Sequence, residues 1–130
     1  MRYILDASAI IAYFRDESGA DIVYYYLNKE SYVHRINLCE VAYFLLRNGI
    51  DKEEVKQKIQ ELETSLSGVY EDFDEEICLL ASKIKYNCKV SIADAILTAI
   101  AKRYGYKIVT ADRRDFQRIS ESGFYSNFIR

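Results

Sequence analysis

The sequence predicts an α/β fold, a single-domain parallel β-sheet flanked by helices on both faces. Two observations predict it. Short apolar runs alternate with longer helical segments from one end of the chain to the other, a pattern that forms parallel sheets. The chain also has 130 residues, half of them apolar, enough for one core and one domain over residues 1–130. That composition excludes a mostly disordered chain.

Arg2-Tyr3-Ile4-Leu5 is a buried strand that ends at Asp6. Ser8–Phe14 and Gly19–Asn28 are helical, and Ser31–Arg35 is a second strand. Asn37 to Asn48 is a helix with Gly49 as its stop. Asp51 to Leu66 is a charged helix with Val55, Ile59, Leu62 and Leu66 on one face. Val69–Phe73 is a third strand, and Asp74 caps a helix running to about Asn87. Ser91 to Tyr104, the most apolar helix, closes at Gly105. Lys107–Thr110 is a fourth strand, a short helix follows it, and Phe128-Ile129 supplies a last edge strand. Proline is absent, so Gly, Asn and Ser punctuate the chain.

Parallel sheets bind ligands at the carboxyl ends of their strands, where the strand order reverses. The first strand ends in Asp6 and the fourth ends two residues before Asp112. If these strands are neighbours at the reversal, both carboxylates reach one crevice.

The bulk features exclude several functions. A net charge of −2 gives no global field for nucleic acid, so such a partner needs a local basic patch and metal ions. Cys39, Cys78 and Cys88 are odd in number and lack a C-x-x-C spacing, against a disulfide framework or a zinc site. His34 is the single histidine, which leaves no His-based metal site. The run Tyr3–Phe14 is broken by Asp6 and too short to span a bilayer. A soluble cytoplasmic protein is expected.

Four acids fall at strand ends or helix starts, which a doubly wound sheet gathers on one rim. Asp6 ends a buried strand, where a carboxylate is costly unless paired. It also suits a helix cap, but Ser8 is an equally competent cap, so Asp6 is read as functional. Glu40 lies three residues after Asn37, the capping-box spacing. That local role and a site role stand even, although Val41, Phe44 and Leu45 place Glu40 beside the apolar face. Asp94 repeats the pattern after Ser91, in a helix apolar nearly all round, where a first-turn carboxylate usually has a partner. Asp112 is a turn or cap residue, or a site acid closer to the strand end than its rival Asp115. Asp72, Asp74, Glu75 and Glu76 are read as a solvated first turn. Carboxylates packed together either protonate or bind cations. Oxygen-only ligands suit Mg²⁺ or Mn²⁺, and two such ions suit phosphodiester cleavage.

These segments together resemble the PIN-domain ribonucleases and, within them, the VapC type of toxin from type II toxin–antitoxin pairs. The resemblance runs from Tyr3-Ile4-Leu5-Asp6-Ala7-Ser8 to Thr110-Ala111-Asp112-Arg113-Arg114-Asp115-Phe116. Between them, Asn37-Leu38-Cys39-Glu40-Val41 is similar to the family's glutamate segment. Ser91-Ile92-Ala93-Asp94-Ala95-Ile96-Leu97-Thr98-Ala99 is similar to its D-A-hydrophobic helix. The resemblance implies a Mg²⁺- or Mn²⁺-dependent endoribonuclease with Asp6, Glu40, Asp94 and Asp112 as metal ligands. It implies that the Ser8 and Thr110 hydroxyls help to order metal-bound water. A homodimer and a small antitoxin inserted into the site are expected on the same ground. PIN domains also serve in RNA processing, which remains an open alternative.

Arg113 and Arg114 adjoin the acids and are candidates for substrate phosphate, with pairing to Asp112 and Asp115 equally open. Tyr24-Tyr25-Tyr26 cannot all face a core from one helix, so an exposed aromatic surface for a partner helix or second subunit is expected. Two other classes of function compete. A phosphatase with Asp6 as nucleophile would usually carry a second Asp two positions on, where this chain has Ser8. A non-catalytic binding module would use the acids only as helix caps.

Overall fold

A computed structural model describes residues 2–123 and 126–130. The chain runs β1 (Arg2–Leu5), α1 (Ala7–Phe14), α2 (Ala20–Leu27), β2 (Glu30–His34), α3 (Arg35–Arg47) and α4 (Lys52–Ser65). It continues β3 (Gly68–Tyr70), α5 (Glu75–Cys88), α6 (Ile92–Tyr104), β4 (Lys107–Thr110), α7 (Arg113–Glu121) and β5 (Ser126–Phe128).

The sheet order is β3-β2-β1-β4-β5 and every pairing is parallel. The order therefore reverses between β1 and β4, as the Asp6–Asp112 reading requires. Side chains alternate across a strand, and both faces of this sheet are covered. Ile4 and Ile108 point into a core with α5, α6 and α7, through residues such as Ile77, Leu97 and Phe116. Their neighbours Leu5 and Val109, with Val33, point into a second core with α1–α4.

The central elements form as the sequence predicts, and the differences lie at the ends. β3 is shorter than expected and stops at Tyr70; Phe73 lies beyond it, 57% exposed. The predicted helix start at Asn37 is displaced. β2 passes into α3 with no intervening loop, His34 ending the strand and capping the helix. Its Nδ1 accepts from the Ile36 N–H at 3.0 Å, and its Nε2–H donates to the Asp72 carbonyl at 2.9 Å. Burial holds its pKa below the usual histidine value, so the lone histidine is a neutral structural cap. β5 lies one or two residues earlier than expected and pairs in parallel with β4. Gly19, with φ +96°, opens α2, and a Cβ there would lie 2.7 Å from the Ile129 carbonyl oxygen. Glycine is thus required both for the turn and for the close approach of the C-terminal segment.

Candidate active site

The carboxyl ends of β1 and β4 are joined by a buried polar knot. Asp6 is 2% exposed. Its Oδ1 accepts the Ala9 N–H at 2.9 Å and its Oδ2 accepts the Thr110 hydroxyl at 2.6 Å. The Ser8 hydroxyl lies 2.8 and 2.9 Å from the two oxygens. The knot reaches onward from β4, because the Ala111 N–H donates to Ser8 Oγ and the Asp112 N–H donates to Thr110 Oγ1, both at 2.9 Å. Asp6 is thus the N-cap of α1, a role the sequence assigned as readily to Ser8. The helix starts at Ala7, which places Ser8 inside its first turn. Capping leaves Asp6 on the rim, and it lines the cavity described below.

The capping box expected at Asn37 and Glu40 is absent, because His34 performs the capping. Asn37 is fully buried and donates from Nδ2 to Glu40 Oε1 at 3.2 Å. It positions Glu40, a contact that the capping pattern concealed. At α6 the Ser91 hydroxyl accepts the Asp94 N–H at 3.2 Å, but the Ser91 N–H donates to Asp115 Oδ2 at 3.1 Å. Asp115 completes that box, so the Asp94 carboxylate is free of it. Asp112 caps α7 by accepting the Asp115 N–H at 3.1 Å.

Asp6, Glu40, Asp94 and Asp112 all line one cavity of about 390 Å³, with Asp115 and Ser8. One oxygen from each of Asp94, Asp112 and Asp115 lies within 4.8 Å of the others. Asp112 and its rival Asp115 therefore both reach the site. Among the described residues none of these acids has an ion-pair partner.

Their electrostatics follow from that. Burial raises Asp6 to about 6, against the lowering effect of its bonds from Thr110, Ala9 and Ser8, with the Asp112 charge adding to the rise. Asp94 is held well above the usual carboxylate range by burial, then by a hydrogen bond shared with Asp115 and by the charges of Asp6, Asp112 and Asp115. Glu40 is raised by burial, opposed by Asn37 and supported by the Asp112 charge. Oxygen donors alone, crowded and without an ion-pair partner, are the donor set of a hard divalent ion.

Arg113 and Arg114 do not line the cavity. Arg113 donates to the Arg130 carbonyl at 2.7 Å and lies 4.5 Å from the Phe128 ring centre, while Arg114 is exposed. The basic residue on the cavity wall is Arg47 of α3. Its signal in the sequence is spacing: Glu40, Tyr43, Phe44 and Arg47 fall on one helical face. Of the tyrosine triplet, Tyr24 and Tyr25 are 60% and 54% exposed, and Tyr26 packs on Tyr3 at 4.6 Å. Among the described residues no helix is long and apolar enough to cross a membrane.

The PIN domain family model matches residues 3–122. No curated protein matches the sequence. Among solved structures, the chain is similar to a toxin–antitoxin complex from Klebsiella pneumoniae, with a TM-score of 0.77 and 16% identity over 98% of each chain. It is similar to VapBC-1 from nontypeable Haemophilus influenzae, with a TM-score of 0.75 and 19% identity over 99% of this chain and 98% of that one. DNA-bound VapBC from Salmonella typhimurium gives a TM-score of 0.77 and 17% identity over 100% and 99%. At these identities the likeness is one of fold.

Proposed function

Because the chain belongs to the PIN domain family, we propose that it is a metal-dependent endoribonuclease that hydrolyses RNA phosphodiester bonds. The observation that carries this reading is the cluster of Asp94, Asp112 and Asp115 oxygens within 4.8 Å, with no cation within ion-pair distance of them among the described residues. Asp6, Glu40, Asp94 and Asp112 are the proposed ligands of Mg²⁺ or Mn²⁺, with Asp115 beside them. A bound divalent ion supplies Lewis acidity and lowers the pKa of an attacking water.

The residues have distinct tasks. Burial and the neighbouring acid charges push Asp94 upward, so a cation bound at these acids would displace protons from them. Asn37 fixes Glu40 against the cavity. Ser8 and Thr110 hold Asp6 and tie the two strand ends together. The phosphatase alternative has only its nucleophile in its favour, because the position two residues after Asp6 is Ser8 and not a second Asp.

We read the protein as the toxin of a toxin–antitoxin pair, a cytoplasmic homodimer held in check by a small antitoxin. Support comes from its fold neighbours, which are toxin–antitoxin complexes, and from the exposed Tyr24 and Tyr25. The test is cleavage of total cellular RNA by the purified protein with Mn²⁺, with the cut sites mapped. Cleavage that excess EDTA stops is expected; undiminished cleavage in EDTA would remove the metal from the proposal.

A further inference from the structure

A second cavity, of about 240 Å³, lies beside the acidic one, between the end of α1 and helices α3 and α4. Its lining includes Phe14, Arg15, Phe44, Asn48 and Lys58. Phe44 lines both cavities, so its side chain is a wall they share. Along α3, Glu40, Tyr43, Phe44 and Arg47 all line the acidic cavity. Seven residues of helix rise about 10 Å, so this face runs from a carboxylate, across two aromatic rings, to a guanidinium.

The far end is cationic although the chain's net charge is −2. The Arg15 guanidinium lies 5.6 Å from the Phe44 ring centre, and that of Arg47 lies 5.7 Å from the ring centre of Tyr43. Arg15 reaches Glu17 only at 3.8 Å. Among the described residues, Arg47 and Lys58 have no carboxylate within ion-pair distance. Cations interleaved with aromatic rings suit single-stranded nucleic acid, whose bases stack and whose phosphates need neutralising.

We propose that this groove holds the single-stranded RNA flanking the scissile phosphate. Tyr43 and Phe44 lie against a base, and Arg47, Arg15 and Lys58 take the backbone phosphates. The proposal rests on the nuclease reading of the acidic site and adds where the rest of the substrate lies. Charge favours RNA over a protein segment here. A basic peptide attracted by the acids would meet Arg15, Arg47 and Lys58, whereas an RNA strand suits the cationic end and, with a divalent ion at the acids, the other end too.

The test is fluorescence anisotropy of a labelled single-stranded RNA octamer across a salt series, with Asp94→Asn protein and with the same protein carrying Arg15→Ala and Lys58→Ala. The added changes are expected to weaken binding roughly tenfold and to flatten the slope of log affinity against log salt by about 1.4, two phosphates' worth. Phe44→Leu is expected to weaken binding several-fold and leave the slope unchanged. Affinity and slope equal to the Asp94→Asn protein in all variants would overturn the proposal. So would loss of affinity for a co-expressed protein partner with RNA affinity intact. RNA that binds through these residues but is never cut by the Asp94-containing protein with Mn²⁺ leaves the groove standing and removes the hydrolase.

Discussion

Two clusters of acids in this protein have opposite chemistry. In one, Asp72, Asp74 and Glu76 gather on Arg103, at 3.2, 2.8 and 3.4 Å. In the other, Asp94, Asp112 and Asp115 meet with no cation within ion-pair distance among the described residues. The Arg103 guanidinium, followed by the Ile77 N–H, pulls Asp74 down to about 2, while burial and like charges push Asp94 up. Asp74 is 55% exposed on its side chain, whereas Asp94 is 7% exposed. The number of acids does not distinguish a site. What distinguishes it is the loss of water without a compensating charge, which leaves protons or metal ions to complete the balance.

The largest test of this contrast is catalytic. Asp94→Asn is expected to reduce RNA cleavage by roughly 10²–10⁴-fold with circular dichroism unchanged, and Asp74→Asn is expected to leave the rate within the error of the assay. Equal rates in both variants would dissolve the distinction.

The second test is stability against pH. Asp6 binds its proton more tightly in the folded chain, at about 6, than at the unfolded value of 3.8. Its contribution is therefore complete below about 4 and lost as pH rises through about 6, at most ~3 kcal/mol. His34 works in the opposite sense, since its lowered pKa makes the fold lose stability as pH falls below 6.5. Subtracting the melting curve of Asp6→Asn from that of the parent isolates the pH dependence of the carboxylate. The difference should move against the parent as pH rises from about 4 to about 7.5 in EDTA.

Adding Mn²⁺ at that pH should stabilise the parent by about 2.7 kcal/mol at a hundred times its dissociation constant. A flat melting temperature would argue for caps alone. The smallest effect is expected from Arg103→Ala, which removes the cation of the paired cluster. Its acids are wet, so the melting temperature should fall only slightly and no Mn²⁺ site should appear there by calorimetry.

The sequence carried the sheet and its reversal well, because strand runs such as Lys107–Thr110 are short, apolar and bounded by turns. It was weakest where two uses of one residue type share a spacing. Asn37 and Glu40 have capping-box spacing, yet His34 caps the helix and Asn37 holds Glu40 instead. Ser91 and Asp94 have it too, and the partner of the Ser91 N–H is Asp115, twenty-four residues away. Local patterns cannot report a bond closed by tertiary packing. For the same reason Arg113 was read toward the acids, whereas packing turns it to Arg130 and Phe128.

The direct passage of β2 into α3 sets a mechanical constraint. With no loop to absorb slack, the helix is geared to the sheet, and each residue advances it by about 100°. One residue inserted between His34 and Arg35 would swing Glu40, Tyr43, Phe44 and Arg47 together away from the cavity, even if every one of them were retained. Length at that junction is therefore as much a part of the site as the side chains.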